Sequence, residues 1–316
     1  MSEAPARPTV LEIDLDAAAH NVRVVRQLVG PERKIFAVIK AGGYGFGAAE
    51  MGAVFARNGA DWLGLADLAE GIRLRQRGIS TPILVYPNSL PAAAADALAH
   101  NLVPTLVDLD SARAYSEAAS GPCEFFVKVD VGLERLGVPA EQAVKTIRAM
   151  LDLPHLRLAG ICAHPHADSG DDSSYADWQL ARFTPVIDEL EAQGVRVPVR
   201  LLAATPFVLR FPHTYLNAVD PGRMLYGVIM PGETSPIPLR PAFRARQDAR
   251  HRAEGADAAR ALRRPRAVPG DSADEARRGA DRLGGRHALV ECRPRARARA
   301  VGADRQLALA RAHGSI

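Results

Sequence analysis

"IFAVIKAGGYGFGAAEMG", residues 35–52, runs an apolar strand into a single lysine, then into a glycine-laden turn that holds one tyrosine, Tyr44. The opening run has the composition of a strand buried on both faces, as strands of a parallel sheet are. The stretch after the glycines has helical composition. Such a strand, turn and helix form one unit, and the number of repeats of that unit decides the fold.

Strand-like runs recur at "WLGLA" (62–66), "ILVYP" (83–87), "VPTLVD" (103–108), "EFFVKVD" (124–130), "LRLAGICAH" (156–164), "VRLLAA" (199–204) and "NAVDPGRMLYG" (217–227), eight in all with the first. Helical segments lie between them, among them "GAAEMGAVFARNG", "LAEGIRLRQRG", "DSARAYSEAAS", "PAEQAVKTIRAML" and "ADWQLARFTPVIDELEAQG", several closed by the glycine expected just past a helix end. Eight strands alternating with helices predict an α/β fold, a (β/α)8 TIM-type barrel, whose chemistry sits at the carboxyl ends of the strands.

The chain has 316 residues, 47% of them hydrophobic, enough for a sizeable core. The amino terminus lacks the features of a signal peptide, and no apolar segment approaches the roughly 18 residues of a membrane span. A soluble cytoplasmic protein is expected. Cys123, Cys162 and Cys292 show no paired spacing, so buried, inert thiols are expected rather than a disulfide framework or a zinc ribbon. The net charge of +4 is unevenly spread: residues 1–242 hold 22 Lys and Arg against 27 Asp and Glu, and residues 243–316 hold 18 against 9. The latter segment is half Arg and Ala, with Phe243 its only aromatic residue, and offers too few large apolar side chains for a packed core. It reads as a tail, disordered or translated out of frame from a GC-rich gene. An arm that binds nucleic acid is disfavoured because lysine is absent and stacking aromatics are nearly so. The expected organisation is therefore an N-terminal segment and first helix (1–34), a barrel (35–242) and the Arg/Ala-rich tail (243–316).

Lys40 could snorkel to solvent, the common fate of a lysine. The glycines behind it, which let backbone approach a ligand, and the hydroxyl of Tyr44 instead suit pyridoxal 5'-phosphate, whose aldehyde needs an amine for a Schiff base and whose phosphate needs donors. "AVIKAGGYGFG" resembles the lysine motif K-A-[DN]-A-Y-G-H-G of the alanine racemase family, pyridoxal-phosphate enzymes with a barrel and a separate β domain. The resemblance covers about the first 240 residues and implies that Lys40 is the Schiff-base lysine and a proton-transfer base, with Tyr44 binding the phosphate. Gly42, Gly43 and Phe46 depart from the family pattern.

Four further stretches carry the resemblance. "VKVDVGLERLG" (127–137) is similar to K-x-D-T-G-M-x-R-x-G; alone it would read as a solvated charged turn, and the resemblance implies that Arg135 holds the substrate carboxylate or the cofactor's ring oxygen, positioned by Lys128, which is carbamylated in some members. "AHPHAD" (163–168) has an HxH pair that could hold a metal, but no convincing further ligands accompany it; the resemblance instead places His164 against the cofactor ring and leaves His166 as loop. In "LLAATPFVLRFP" (201–212), Thr205 falls where a phosphate-binding serine usually sits, with Ala204 in place of an asparagine and Pro206 removing a backbone donor. In "VDPGRMLYG" (219–227), Gly222 and the backbone N–H of Arg223 face the phosphate by the same match. Asp220 stands where the family has an arginine that keeps the pyridine nitrogen unprotonated. A carboxylate there would favour the pyridinium and a stronger electron sink, whereas Arg223, three residues along a period-2 strand, should face the other side.

Racemisation needs proton transfer on two faces of the α-carbon. The resemblance implies a tyrosine from the β domain of a homodimer partner for the second face, and another for the phosphate, but the last tyrosine here is Tyr226. The leading expectation is a pyridoxal-phosphate-dependent amino acid racemase acting on alanine, incomplete in the chain as it stands and without its normal dimer surface. A pyridoxal-phosphate aldolase or decarboxylase, a noncatalytic pyridoxal-phosphate carrier and, last, a nucleic-acid-binding protein are the alternatives.

Overall fold

The computed structural model of the chain describes residues 9–87, 90–167 and 172–247. Cys292 and the expected tail from residue 248 lie outside the described residues. Strand β1 (Thr9–Ile13) and helix α1 (Leu15–Val29) precede the barrel. There follow β2 (Lys34–Val38), the one-turn segment α2 (Lys40–Tyr44), α3 (Ala48–Arg57), β3 (Trp62–Leu65), α4 (Leu68–Gln76), β4 (Ile83–Val85), α5 (Ala94–Ala99), β5 (Leu102–Leu106), α6 (Leu109–Ala118), β6 (Cys123–Asp130), the two-residue β7 (Val138–Pro139), α7 (Ala140–Leu151), β8 (Leu156–Cys162), α8 (Ser174–Ala192), β9 (Val199–Ala204), α9 (Thr205–Arg210), β10 (Ala218–Asp220) and β11 (Phe243–Gln247).

The eight strands β2, β3, β4, β5, β6, β8, β9 and β10 pair in parallel, in that order, and β10 returns to β2. The sheet is therefore closed, as the alternation of strand and helix predicts. The period-2 pleat divides the side chains of each strand. On β2, Ile35 and Ala37 pack outward with the helices, while Phe36 points into the barrel with Leu84, Phe126, Leu201 and Ala218. Inside, Phe36 stacks on Trp62 with centroids 5.1 Å apart, and the ring of Phe126 meets both edge-on at 5.8 Å. Gly160 makes room for this stack, since a Cβ there would lie 2.6 Å from the Phe126 ring. Three rings thus fill the lower barrel.

Two local departures from the expected elements matter for the site. β2 ends at Val38, so Lys40 opens the next turn instead of closing the strand. That turn winds left-handed: Ala41, Gly42, Gly43, Tyr44 and Gly45 have φ of 54°, 65°, 66°, 55° and 87°, with hydrogen bonds from Gly43 N to Ile39 O and from Gly45 N to Ala41 O. This hand costs about 1–2 kcal/mol for each residue bearing a Cβ, and three of the five positions avoid that cost by being glycine. The stretch 217–227 is not one strand: β10 stops at Asp220, Pro221 and Gly222 break it, and Arg223–Tyr226 form a 3-10 turn. Helices α5 and α9 were not anticipated; each is only six residues long, too short for a periodic signal.

Beyond the barrel, β11 pairs antiparallel with β1, Ile13 opposite Phe243 and Thr9 opposite Gln247. The first five residues of the expected tail are therefore strand. Phe243 stacks on Phe46 at 4.6 Å, and Phe46 packs against Tyr226 at 5.5 Å, which accounts for an aromatic residue at position 46. Buried Asn21 ties α1 to the segment before β11, donating to the carbonyls of Leu225 and Arg240 and accepting from Arg240 N.

Replacing Phe126 with Ala should destabilise the protein by about 3–5 kcal/mol. Gly42→Ala should cost about 1–2 kcal/mol through backbone hand alone, because the space around it is open. Urea unfolding of the two variants checks both.

Candidate active site

A cavity of about 500 Å³ occupies the upper barrel at the carboxyl ends of the strands. The nine residues singled out in the sequence all line it: Lys40 and Tyr44 behind β2, Lys128 and Arg135 from β6 and its following turn, His164 behind β8, Thr205 behind β9, and Asp220, Gly222 and Arg223 from the end of β10 onward. Arg223 shares the cavity with Asp220 because the chain leaves the strand between them, contrary to the period-2 expectation.

The left-handed turn presents Lys40 and Tyr44 from its two ends. Its backbone is held by Glu70, whose carboxylate accepts from Ala41 N at 3.1 Å and Gly42 N at 2.7 Å. Glu70 is itself placed by the start of α4, where Asp67 caps its N–H. Glu70 is not among the residues expected from the sequence, although "DLAE" at residues 67–70 has a capping-type spacing. Lys40 makes no hydrogen bond or ion pair among the described residues, so its amine is free to react in the cavity.

The turn behind β6 is folded back by Asp130, whose Oδ1 accepts from Gly132 N and Glu134 N. Buried Lys128 donates to the carbonyls of Arg135 and Leu136, both at 2.6 Å. The lysine thus reaches Arg135 through the main chain, leaving the guanidinium at the exposed rim. At β9 and β10, Gly222 N donates to Thr205 Oγ1 at 3.0 Å. A Cβ on Gly222 would lie 2.8 Å from the Tyr44 hydroxyl, so glycine keeps this corner open. Arg223 pairs through Nη2 with Glu233 at 2.5 Å, while its buried Nη1 has no partner among the described residues.

Asp220 is buried, accepts from the Tyr86 hydroxyl at 3.2 Å through Oδ2, and leaves Oδ1 without a partner among the described residues. Burial raises its pKa to about 8, against the opposing effects of Tyr86 and Lys40. His164 is pushed down to about 4, first by burial and then by Arg135, Lys40 and Lys128, so its imidazole is neutral at pH 7. Burial also raises Tyr44 to about 12 and the Cys162 thiol to about 12, and lowers Lys128. Tyr86 is likewise not among the expected residues, although it stands polar at the end of the run "ILVYP". His166 is clamped to Gln179 through its backbone, and no group of three metal-ligating side chains occurs among the described residues. Cys123 and Cys162 are buried and free. None of the described helices is long and apolar enough to cross a membrane.

Chemically, the cavity offers a primary amine, hydroxyl and N–H donors on one side, a guanidinium at the rim, a neutral imidazole and a buried carboxyl group that forms no ion pair among the described residues. Residues 13–230 match the family "Alanine racemase, N-terminal domain". The chain is 38% identical to the alanine racemase of Desulforamulus reducens over 225 residues, 70% of this chain and 61% of that protein. It is 36% identical to that of Desulfosudis oleivorans over 246 residues, 73% of this chain and 63% of that protein. An alanine racemase structure from Clostridium difficile 630 superposes with a TM-score of 0.73 at 29% identity, covering 77% of this chain and 65% of that one. The chain thus spans somewhat less than two thirds of the length of these relatives. With the match running from the end of β1 to beyond the last barrel strand, the chain belongs to the alanine racemase family.

Proposed function

We propose that this chain binds pyridoxal 5'-phosphate through Lys40 and inverts the α-carbon of a small amino acid, alanine foremost, to supply D-alanine. The observation that carries this reading is the amine of Lys40, unpaired among the described residues, sharing one cavity with the Tyr44, Thr205 and Gly222 corner. The residues present fit the cofactor. Tyr44, Thr205, Gly222 and the backbone of Arg223 would hold the phosphate, and Arg223, which lines the cavity, has a buried Nη1 without a partner among the described residues. A neutral imidazole at His164 can lie flat against an aromatic ring without adding charge.

When bound, the cofactor supplies an electron sink conjugated to the substrate's α-carbon. Lys40 Nζ then serves as base and acid for the α-proton on one face. Arg135 holds the substrate carboxylate, with a fork geometry suited to it, and Lys128 fixes the main chain that carries Arg135. The second face needs a proton donor of its own, and the sequence holds no tyrosine beyond Tyr226 to take that part in a homodimer. A cytoplasmic location belongs to the same proposal. The buried carboxylate of Asp220 favours a second reading, an aldolase or decarboxylase on the same barrel, which product analysis with D-threonine separates from interconversion of D- and L-alanine.

Reconstituted protein should show the visible absorption of a lysine-bound cofactor, and borohydride should fix the adduct on Lys40 for peptide mapping. Lys40→Ala should lose the band and about 10²–10⁴-fold or more of the racemisation rate; an adduct mapped elsewhere defeats the assignment.

Cofactor-free protein should also respond to pH through Asp220. Its pKa is about 8 when folded against 3.8 as the ordinary value, so between these limits the folded chain keeps a proton that the unfolded chain has lost, and stability falls as pH rises. His164 acts oppositely, and only between about 4 and 6.5. From pH 6.5 to 8 the His164 effect is over and that of Asp220 remains. Asp220→Asn should flatten that slope in denaturation curves measured at each pH.

A further inference from the structure

We propose that Asp220, oriented by Tyr86, holds a proton on the ring nitrogen of the bound cofactor. The inference rests on the proposed function and concerns one carboxylate that the rest of that reading leaves without a task. Asp220 lines the cavity and is buried, with Oδ2 fixed by the Tyr86 hydroxyl at 3.2 Å and Oδ1 unpartnered among the described residues. A buried carboxylate in that condition is costly unless something in the cavity donates to it. Among the described residues no cation forms an ion pair with it; the nearby charge acting on it is that of Lys40, and the proposed function commits Lys40 to the cofactor.

The chemistry of pyridoxal 5'-phosphate leaves one complementary group. Its phosphate is anionic and belongs with the donors of Tyr44, Thr205 and Gly222. Its ring oxygen bears negative charge when ionised and is repelled by a carboxylate. The proton of the Schiff-base nitrogen is shared with that ring oxygen beside it, so the ring nitrogen, once protonated, is the N–H⁺ donor left over, and a carboxylate beside it stabilises that protonated form. The site is also built to keep Asp220 in place. Tyr86 is held against it in a space that exists because residue 64 is glycine: a Cβ there would stand 2.7 Å from the Tyr86 hydroxyl oxygen. Tyr86 carries no charge of its own, its hydroxyl being raised well above the ordinary range by burial and by Asp220. It is therefore a positioning residue, and Asp220 the cofactor contact.

The test is ¹⁵N NMR of the full chain reconstituted with cofactor labelled at the ring nitrogen, read at neutral pH together with the visible absorption. The expected result is a lysine-bound cofactor whose nitrogen resonates at the protonated position. Asp220→Asn should move the resonance to the unprotonated position, while Tyr86→Phe should leave it protonated. A lysine-bound cofactor with an unprotonated nitrogen in the parent protein overturns the proposal and leaves the proposed function standing. Loss of the proton in Tyr86→Phe but not in Asp220→Asn also overturns it, because the proton would then not depend on the carboxylate. If no cofactor attaches to Lys40, the proposed function fails and this inference fails with it. Should Asp220→Asn not fold, the parent spectrum and that of Tyr86→Phe still decide.

Discussion

A closed sheet of eight parallel strands encloses a volume that side chains must fill, and here Phe36, Trp62 and Phe126 fill its lower part. The consequence lies above them. Interior positions nearer the carboxyl ends carry Cys162, Ala204 and other modest side chains, leaving about 500 Å³ into which the turns behind the strands can lean. Every feature of the site follows from that division. The pleat sends alternate residues inward, the bulky ones close the bottom, and the polar ones enter the cavity from the last residues of the strands and the turns behind them.

The barrel was legible because it rests on pattern: apolar runs at strand length separated by helical segments, repeated eight times. The positions of Lys40, Lys128, Arg135, His164, Thr205, Asp220 and Gly222 at strand ends followed from that pattern together with the family resemblance. What the pattern could not convey was backbone hand and local breakage. Nothing in a hydrophobic period reveals that residues 41–45 wind left-handed, although the glycines hint at it. Arg223 was assigned to the wrong side because a strand was assumed to continue through Pro221 and Gly222. Glu70 and Tyr86 differ in another way: their roles depend on contacts distant in sequence, with residues 28 and 134 positions away. No local window of sequence contains such a pair.

The departures from the family pattern make physical sense in groups. Gly42 and Gly43 relieve a turn whose hand is costly for other residues. Phe46 joins Tyr226 and Phe243 in an aromatic cluster that fastens the same turn to β11. Thr205 keeps a hydroxyl at its position, and its Oγ1 accepts from Gly222 N. Asp220, which stands where the family has an arginine, lines the cavity and has one carboxyl oxygen without a hydrogen-bond partner among the described residues.

The pairing of β1 with β11 carries a consequence for how the chain assembles. Glu12 and Arg244 meet across this ribbon although 232 positions separate them. Closing a flexible loop of that length costs on the order of 5 kcal/mol of chain entropy, more than a two-stranded ribbon recovers unaided. The two strands can meet only after the barrel between them has already brought its ends together. The ribbon is therefore a late event in folding, and its hydrogen bonds form a seal on a barrel that is otherwise complete.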